Sequence, residues 1–104
     1  MKSALTIAGS DPTGGAGLQA DIKVFRAFGV HGLSVASALT AQNTEGVISV
    51  FPVDKNFFAE QLNVLLKDMT PDAVKTGMLY SRQLVGAVAE TIRRYSLKNL
   101  VIDP

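Results

Sequence analysis

Leu5-Thr6-Ile7-Ala8-Gly9-Ser10-Asp11-Pro12-Thr13-Gly14-Gly15-Ala16-Gly17-Leu18-Gln19-Ala20-Asp21 is the stretch on which the fold turns. An apolar run ends at Ala8, glycines punctuate Gly9 to Gly17, and a helical pattern opens at Leu18. The order is therefore strand, glycine-rich loop, helix. Glycine lets backbone N–H groups approach a ligand with no Cβ in the way, and the first turn of a helix carries partial positive charge. A loop of this kind, delivered by a strand to a helix start, points to a small-molecule site.

What the loop lacks narrows the chemistry. Gly9 and Gly14 have the glycine spacing of a Walker A loop, but Gly15 and Ala16 stand where its lysine and hydroxyl belong, so a P-loop is rejected. Gly15-Ala16-Gly17-Leu18-Gln19-Ala20 fits the Gly-x-Gly-x-x-Gly/Ala dinucleotide fingerprint and opens a helix. That fingerprint should follow its strand almost directly, whereas Gly9 to Gly14 intervene; a Rossmann-type NAD protein stays an alternative, tested by whether NAD binds.

Working outward, the elements alternate. Ser3 to Ala8 reads as a strand, Leu18 to Phe28 as a helix, and Leu33 to Leu39 and Val47 to Val53 as β-like runs. Phe58, Leu62, Leu65 and Met69 share one helix face, with Asp54 as N-cap and Pro71 past the end. Ala73 to Gly77 reads as a strand. Leu84, Val85, Val88, Ile92 and Tyr95 mark a third helix capped by Ser81, and Leu100 to Ile102 a last, buried strand. This β-α-β-β-α-β-α-β order predicts a largely parallel sheet covered by helices. Such a sheet is half built at Asp103-Pro104, so the chain reads as part of a longer α/β protein.

Composition bounds the partners. The chain has 104 residues, 47% hydrophobic and 18% charged, with a net charge of +1, which suits one globular unit. Arg93-Arg94 is its only adjacent basic pair, which speaks against nucleic acid. It has no cysteine, so disulfides and thiolate metal sites are excluded. No apolar stretch approaches membrane-spanning length and no signal-peptide pattern opens the chain, making a cytoplasmic location the expectation.

In open α/β sheets ligands bind beyond the carboxyl ends of the strands. Gly9 to Asp11, Gln42-Asn43-Thr44, Thr76-Gly77-Met78 and Asp103 all fall on that edge. Each alone reads as a turn; together they predict a binding site. At about 100° per residue, Gln19, Lys23 and Arg26 form a polar helical stripe, while Asp21 lies opposite among Val24, Phe25 and Phe28. Asp21 either complements the helix dipole or lines the pocket under the loop. Lys75, inside an apolar strand, could reach a phosphate, though a stem that snorkels to solvent is the commoner outcome; Met78 reads as core in preference to pocket lining, and His31, the single histidine, as a surface or strand residue.

Taken together, Leu5 to Asp21, Ala38-Leu39-Thr40-Ala41-Gln42-Asn43-Thr44, Lys75-Thr76-Gly77-Met78-Leu79 and Val101-Ile102-Asp103-Pro104 resemble the hydroxymethylpyrimidine/phosphomethylpyrimidine kinases of thiamine biosynthesis, in register along essentially the whole chain. The resemblance implies a three-layer α/β/α ribokinase-like fold with a mainly parallel sheet, of which residues 1–104 are the N-terminal portion of one kinase domain. It implies phosphorylation of 4-amino-5-hydroxymethyl-2-methylpyrimidine and then its monophosphate, with ATP as donor and Mg²⁺.

By the same resemblance Gln42 hydrogen-bonds the aminopyrimidine, a role suited to an amide that both donates and accepts. Gly9, Ala16, Asp21 and Met78 line the pocket, and Asp103 is the acidic residue near the nucleotide phosphates and Mg²⁺. The catalytic base is expected C-terminal to Pro104, in a glycine-rich anion hole, so no catalytic residue is assigned to this chain, and residues 1–104 alone are expected to be inactive. The implied partner is a small pyrimidine, with neither nucleic acid nor membrane, and a homodimer is compatible with it. A pyridoxal kinase of the same superfamily and a non-catalytic pyrimidine-binding module are the alternatives.

Overall fold

Strand β1 (Ser3–Gly9) takes the centre of the sheet because both of its faces can be covered. A computed structural model, described over residues 1–103, shows Leu5, Thr6 and Ile7 wholly buried. Pro104, the end of the Val101–Pro104 motif, lies outside the described residues. Successive side chains of a strand point to opposite faces, so Leu5 and Ile7 face one way and Ala4, Thr6 and Ala8 the other. The small face admits helix α1 (Gly17–Ala27). Helix and sheet come close at Gly32, where a Cβ would stand 2.6 Å from Ile22 Cδ1.

The bulky face carries the core. Leu5 and Ile7, with Leu33, Val35 and Val74 from neighbouring strands, meet Phe58, Leu62 and Leu66 of α2 (Lys55–Asp68) and Leu84, Ala87 and Val88 of α3 (Arg82–Tyr95). With β2 (His31–Asn43), β3 (Gly46–Pro52), β4 (Ala73–Thr76) and β5 (Leu100–Ile102), the sheet order is β3-β2-β1-β4-β5. Every neighbouring pair is parallel except β2 and β3. Helices on both faces of a mainly parallel sheet give the three layers that the family resemblance implies.

The caps form as the sequence predicts. The Asp54 carboxylate accepts from Asn56 N at 3.0 Å and Phe57 N at 3.2 Å, and Ser81 Oγ accepts from Leu84 N at 3.1 Å. Four expectations are corrected. Strand β2 does not end at Leu39 but runs to Asn43, because Ala38 to Asn43 pair antiparallel with Gly46 to Pro52; Gln42 and Asn43 therefore lie within a strand. Helix α2 turns Leu66 inward, leaving Leu65 half-buried and Met69 at the exposed C-cap. In α3 the inward face is Leu84, Ala87, Val88 and Thr91, and Val85 is exposed. Strand β5 is not buried: it pairs with β4 alone, and Ile102 is 69% exposed.

Candidate functional site

The glycine-rich loop is built around one carboxylate. Asp11, only 5% exposed, accepts from Thr13 N at 2.9 Å and Thr13 Oγ1 at 2.8 Å through one oxygen, and from Ala16 N at 2.8 Å through the other. The Thr13 backbone N–H, then its hydroxyl, hold the Asp11 carboxyl below the ordinary aspartate range against the opposing effect of burial; the N–H groups of Ala16 and Gly15 add to this. Ala16 is the N-cap of α1 and has no capping side chain of its own, so Asp11 satisfies its N–H from outside the helix. Gln19, on the polar stripe of α1, closes the loop: it accepts from Asp11 N at 2.7 Å and donates to Ser10 Oγ at 2.7 Å. Lys23 Nζ donates to Gly14 O at 3.1 Å.

Gly17 is where this geometry demands glycine. Its φ is +62°, and a Cβ there would overlap the Gly9 carbonyl oxygen and stand 3.4 Å from Asp11 N. The fingerprint-like spacing from Gly15 to Ala20 thus arises from a tight loop-to-helix turn.

A cavity of about 240 Å³ opens between this loop and the carboxyl ends of β2 and β4. Gly9 and Ala16 form one wall, Thr40 and Gln42 the next, and Met78 and Tyr80 the third, with Lys75 and Asp103 beside them. Gln42 follows a register shift between Ala41 and Gln42 that leaves Ile48 unpaired, and such a bulge re-aims the side chain beside it. Thr40 Oγ1 lies 2.8 Å from both Ser10 O and Gln42 Oε1. One hydroxyl proton cannot serve two acceptors. With that proton on Ser10 O, the Gln42 amide turns its NH₂ to Thr40 and its carbonyl oxygen to the cavity.

Gly9 is small for a reason visible across the cavity: a Cβ there would come within 2.6 Å of Tyr80 Oη. Tyr80 has φ +70°, a left-handed conformation that a bulky residue adopts only under constraint from its surroundings. The preceding segment is tied down by Gly77 N donating to Ile7 O at 2.9 Å and by the buried Ser37 Oγ donating to Met78 O at 2.7 Å. Met78 is 64% exposed and lines the cavity, so the expectation of a core methionine is wrong.

Lys75 does not snorkel. Its side chain is 21% exposed, Nζ donates to Asp21 Oδ2 at 2.7 Å, and Asp103 Oδ2 lies 3.9 Å away. The same Asp21 oxygen accepts from Thr6 Oγ1 at 2.6 Å. Asp21 lies beyond the first turn of α1, which has no acidic residue, and it is not on the cavity wall. It reaches the cavity only through Lys75.

Of the residues singled out in the sequence, Gly9, Ala16, Gln42, Met78 and Asp103 meet at this one cavity. Lys75, for which the sequence offers reaching a phosphate as the less common outcome, lines it too, together with Thr40 and Tyr80. A lysine inside a four-residue apolar strand was the available signal for Lys75; nothing in the sequence marked Tyr80. His31 opens β2 on the exposed side, away from the cavity. Among the described residues no cluster of His, Asp or Glu could hold a metal by itself.

Comparison with known proteins matches residues 11–104 to the family model described as phosphomethylpyrimidine kinase. The hydroxymethylpyrimidine/phosphomethylpyrimidine kinase of Escherichia coli (strain K12) is 52% identical over 101 residues, covering 97% of this chain and 38% of the relative. The chain thus spans well under half of the length of the curated relatives it matches. Among solved structures, the phosphomethylpyrimidine kinase of Clostridium difficile 630 superimposes with a TM-score of 0.95 at 45% identity, covering all of this chain and 45% of that one. An ADP complex of Bacillus subtilis pyridoxal kinase gives 0.92 at 41% identity, covering all of this chain and 41% of that one.

Proposed function

Because the chain belongs to the phosphomethylpyrimidine kinase family, we propose that it forms the acceptor-binding portion of a kinase that phosphorylates hydroxymethylpyrimidine and then its monophosphate, with ATP as donor. Its fold is the ribokinase-like α/β/α arrangement of those kinases. The observation that carries the substrate assignment is the convergence of Gly9, Ala16, Gln42 and Met78 on one cavity at the carboxyl edge of the sheet. Small residues leave room for a flat ring, and the Gln42 amide faces its polar edge.

Phosphoryl transfer rests on positioning and on neutralising phosphate charge. Asp103, 65% exposed at the cavity mouth, suits the nucleotide side: Mg²⁺ takes one or two carboxylates alongside phosphate oxygens and water, and this carboxylate would be one of them. The catalytic base is assigned to chain beyond Pro104, and residues 1–104 alone would not transfer phosphate. A cytoplasmic location belongs to the same proposal; no described helix is long and apolar enough to cross a membrane. So does a homodimer, for which the apolar exposure of β3 speaks, with Ile48 82% and Phe51 71% exposed.

Pyridoxal kinase is the second reading, favoured by the likeness to the Bacillus subtilis enzyme. The test is ATP-dependent phosphorylation by the full-length protein, with hydroxymethylpyrimidine, its monophosphate and pyridoxal offered in parallel. Preferential turnover of the pyrimidines is expected. Turnover of pyridoxal alone would replace the first reading by the second, and pyrimidine binding with no turnover would leave a binding module.

A further inference from the structure

We propose that Lys75 is the cation with which this cavity holds a phosphate oxygen of its ligand, and that Asp21 is the residue that positions it. The inference rests on the kinase reading above and adds to it a residue for the anionic part of the ligand. A lysine ammonium has three N–H donors and no acceptor. One is taken by Asp21 Oδ2 at 2.7 Å. Asp103 Oδ2, at 3.9 Å and with its side chain 65% exposed, is outside hydrogen-bond range, so it biases the ammonium without consuming a donor. Two donors remain for the cavity that Lys75 lines.

The surroundings keep the ammonium in place. Asp21 is anchored by the hydroxyl of Thr6, a wholly buried residue of the central strand. Gly77 provides the space: a Cβ there would stand 3.2 Å from Lys75 Nζ and 3.0 Å from Ala8 Cβ. A largely desolvated ion pair is weak evidence for stability, since apolar residues of similar volume would serve the fold as well. Its placement at the wall of a cavity gives it a different use. Phosphate oxygens are the matching chemistry, supplied either by the acceptor's own phosphate or by the nucleotide.

The test uses the full-length protein with K75M, K75R and D21N, each checked for folding by circular dichroism. Calorimetry measures affinity for neutral hydroxymethylpyrimidine, its monophosphate, a non-hydrolysable ATP analogue and inorganic phosphate; steady-state kinetics separates kcat from KM. K75M is expected to keep its affinity for the neutral alcohol within about threefold while a phosphate-bearing ligand weakens about tenfold or more, as loss of a charged hydrogen bond implies. K75R should retain most of the wild-type affinity, and D21N should shift the same ligand in the same direction. Weakening of the monophosphate alone identifies the acceptor's phosphate. Weakening of the nucleotide analogue, with kcat reduced for both acceptors at unchanged KM, identifies the transferred group.

A folded K75M whose phosphate ligands all bind within about twofold of wild type would overturn the proposal, as would equal losses for neutral and anionic ligands. If K75M does not fold, a D21N protein with unaltered selectivity between neutral and anionic ligands does the same. Should the wild type fail to phosphorylate any pyrimidine, the kinase reading falls, and the inorganic phosphate titration still decides the role of Lys75.

Discussion

Replacing Gly17 by alanine isolates what the turn into α1 requires. Two terms oppose the change. The φ of +62° places an L-residue in the left-handed region, which costs about 1–2 kcal/mol. The new methyl also overlaps the Gly9 carbonyl oxygen, a backbone atom that cannot swing aside, and relieving such an overlap costs about 1–3 kcal/mol more. The expected loss is therefore about 2–5 kcal/mol. Gly29 supplies the internal control: its φ is +70°, but a Cβ there meets nothing within 4 Å, so Gly29→Ala carries only the backbone term of about 1–2 kcal/mol. Urea unfolding of both variants of the full-length protein reads the difference directly, provided the m-values agree. Since Gly9 also lines the cavity, Gly17→Ala should lose affinity for hydroxymethylpyrimidine, whereas Gly29→Ala should not. Equal destabilisation by the two substitutions would show that the approach of Gly17 to Gly9 places no constraint on the loop.

Gln42→Ala should weaken binding of the pyrimidine by about 1–3 kcal/mol, the value of a lost buried hydrogen-bonding partner, while the unfolding midpoint holds; calorimetry on the folded variant checks it. The lowered pKa of Asp11 means that its carboxylate stabilises the folded loop above the ordinary aspartate pKa, and that this contribution is lost as pH falls through the lower, folded-state value. Hydrogen exchange at the Ala16 amide should accordingly show protection that collapses on acidification, and Asp11→Asn should flatten that pH dependence. Phe58→Ala removes a wholly buried ring from the junction of α2 with the sheet and should cost about 3–5 kcal/mol in denaturant unfolding.

Periodicity made the elements legible where one face is apolar and the other polar, as in α3, and where a cap announces the start, as at Asp54 and Ser81. It failed at Thr40 to Asn43 for a physical reason. Those residues are small or polar, and they are held in a strand by the ladder to β3, a pairing that no local pattern reveals. The inward turn of Leu66 at the expense of Leu65 is a difference of one position that the packing of α2 on β2 and α3 decides. At the site, the glycines and Gln42 could be read because chain order places strand ends on one edge. For Lys75 the sequence left two outcomes, reaching a phosphate or snorkelling, and favoured the second: its partner Asp21 lies 54 residues away in sequence, and a lysine in a strand announces snorkelling unless a carboxylate is known to wait above it.

Strand β2 belongs to two ladders in succession. From His31 to Ala38 it pairs with β1, from Ala38 to Asn43 with β3, and Ala38 is the residue common to both. Beyond Ala38 the strand acts as a lever whose fulcrum is the core and whose far end carries Gln42. Four residues at about 3.3 Å each put Gln42 about 13 Å from that fulcrum, so a tilt of about 10° carries its amide about 2 Å, enough to break a hydrogen bond. The Thr40 hydroxyl, bonded to Ser10 O across the gap, is the stay that limits this swing. The reach of the Gln42 amide into the cavity is thus set as much by what braces the outer face of β3 as by the residues that touch the ligand.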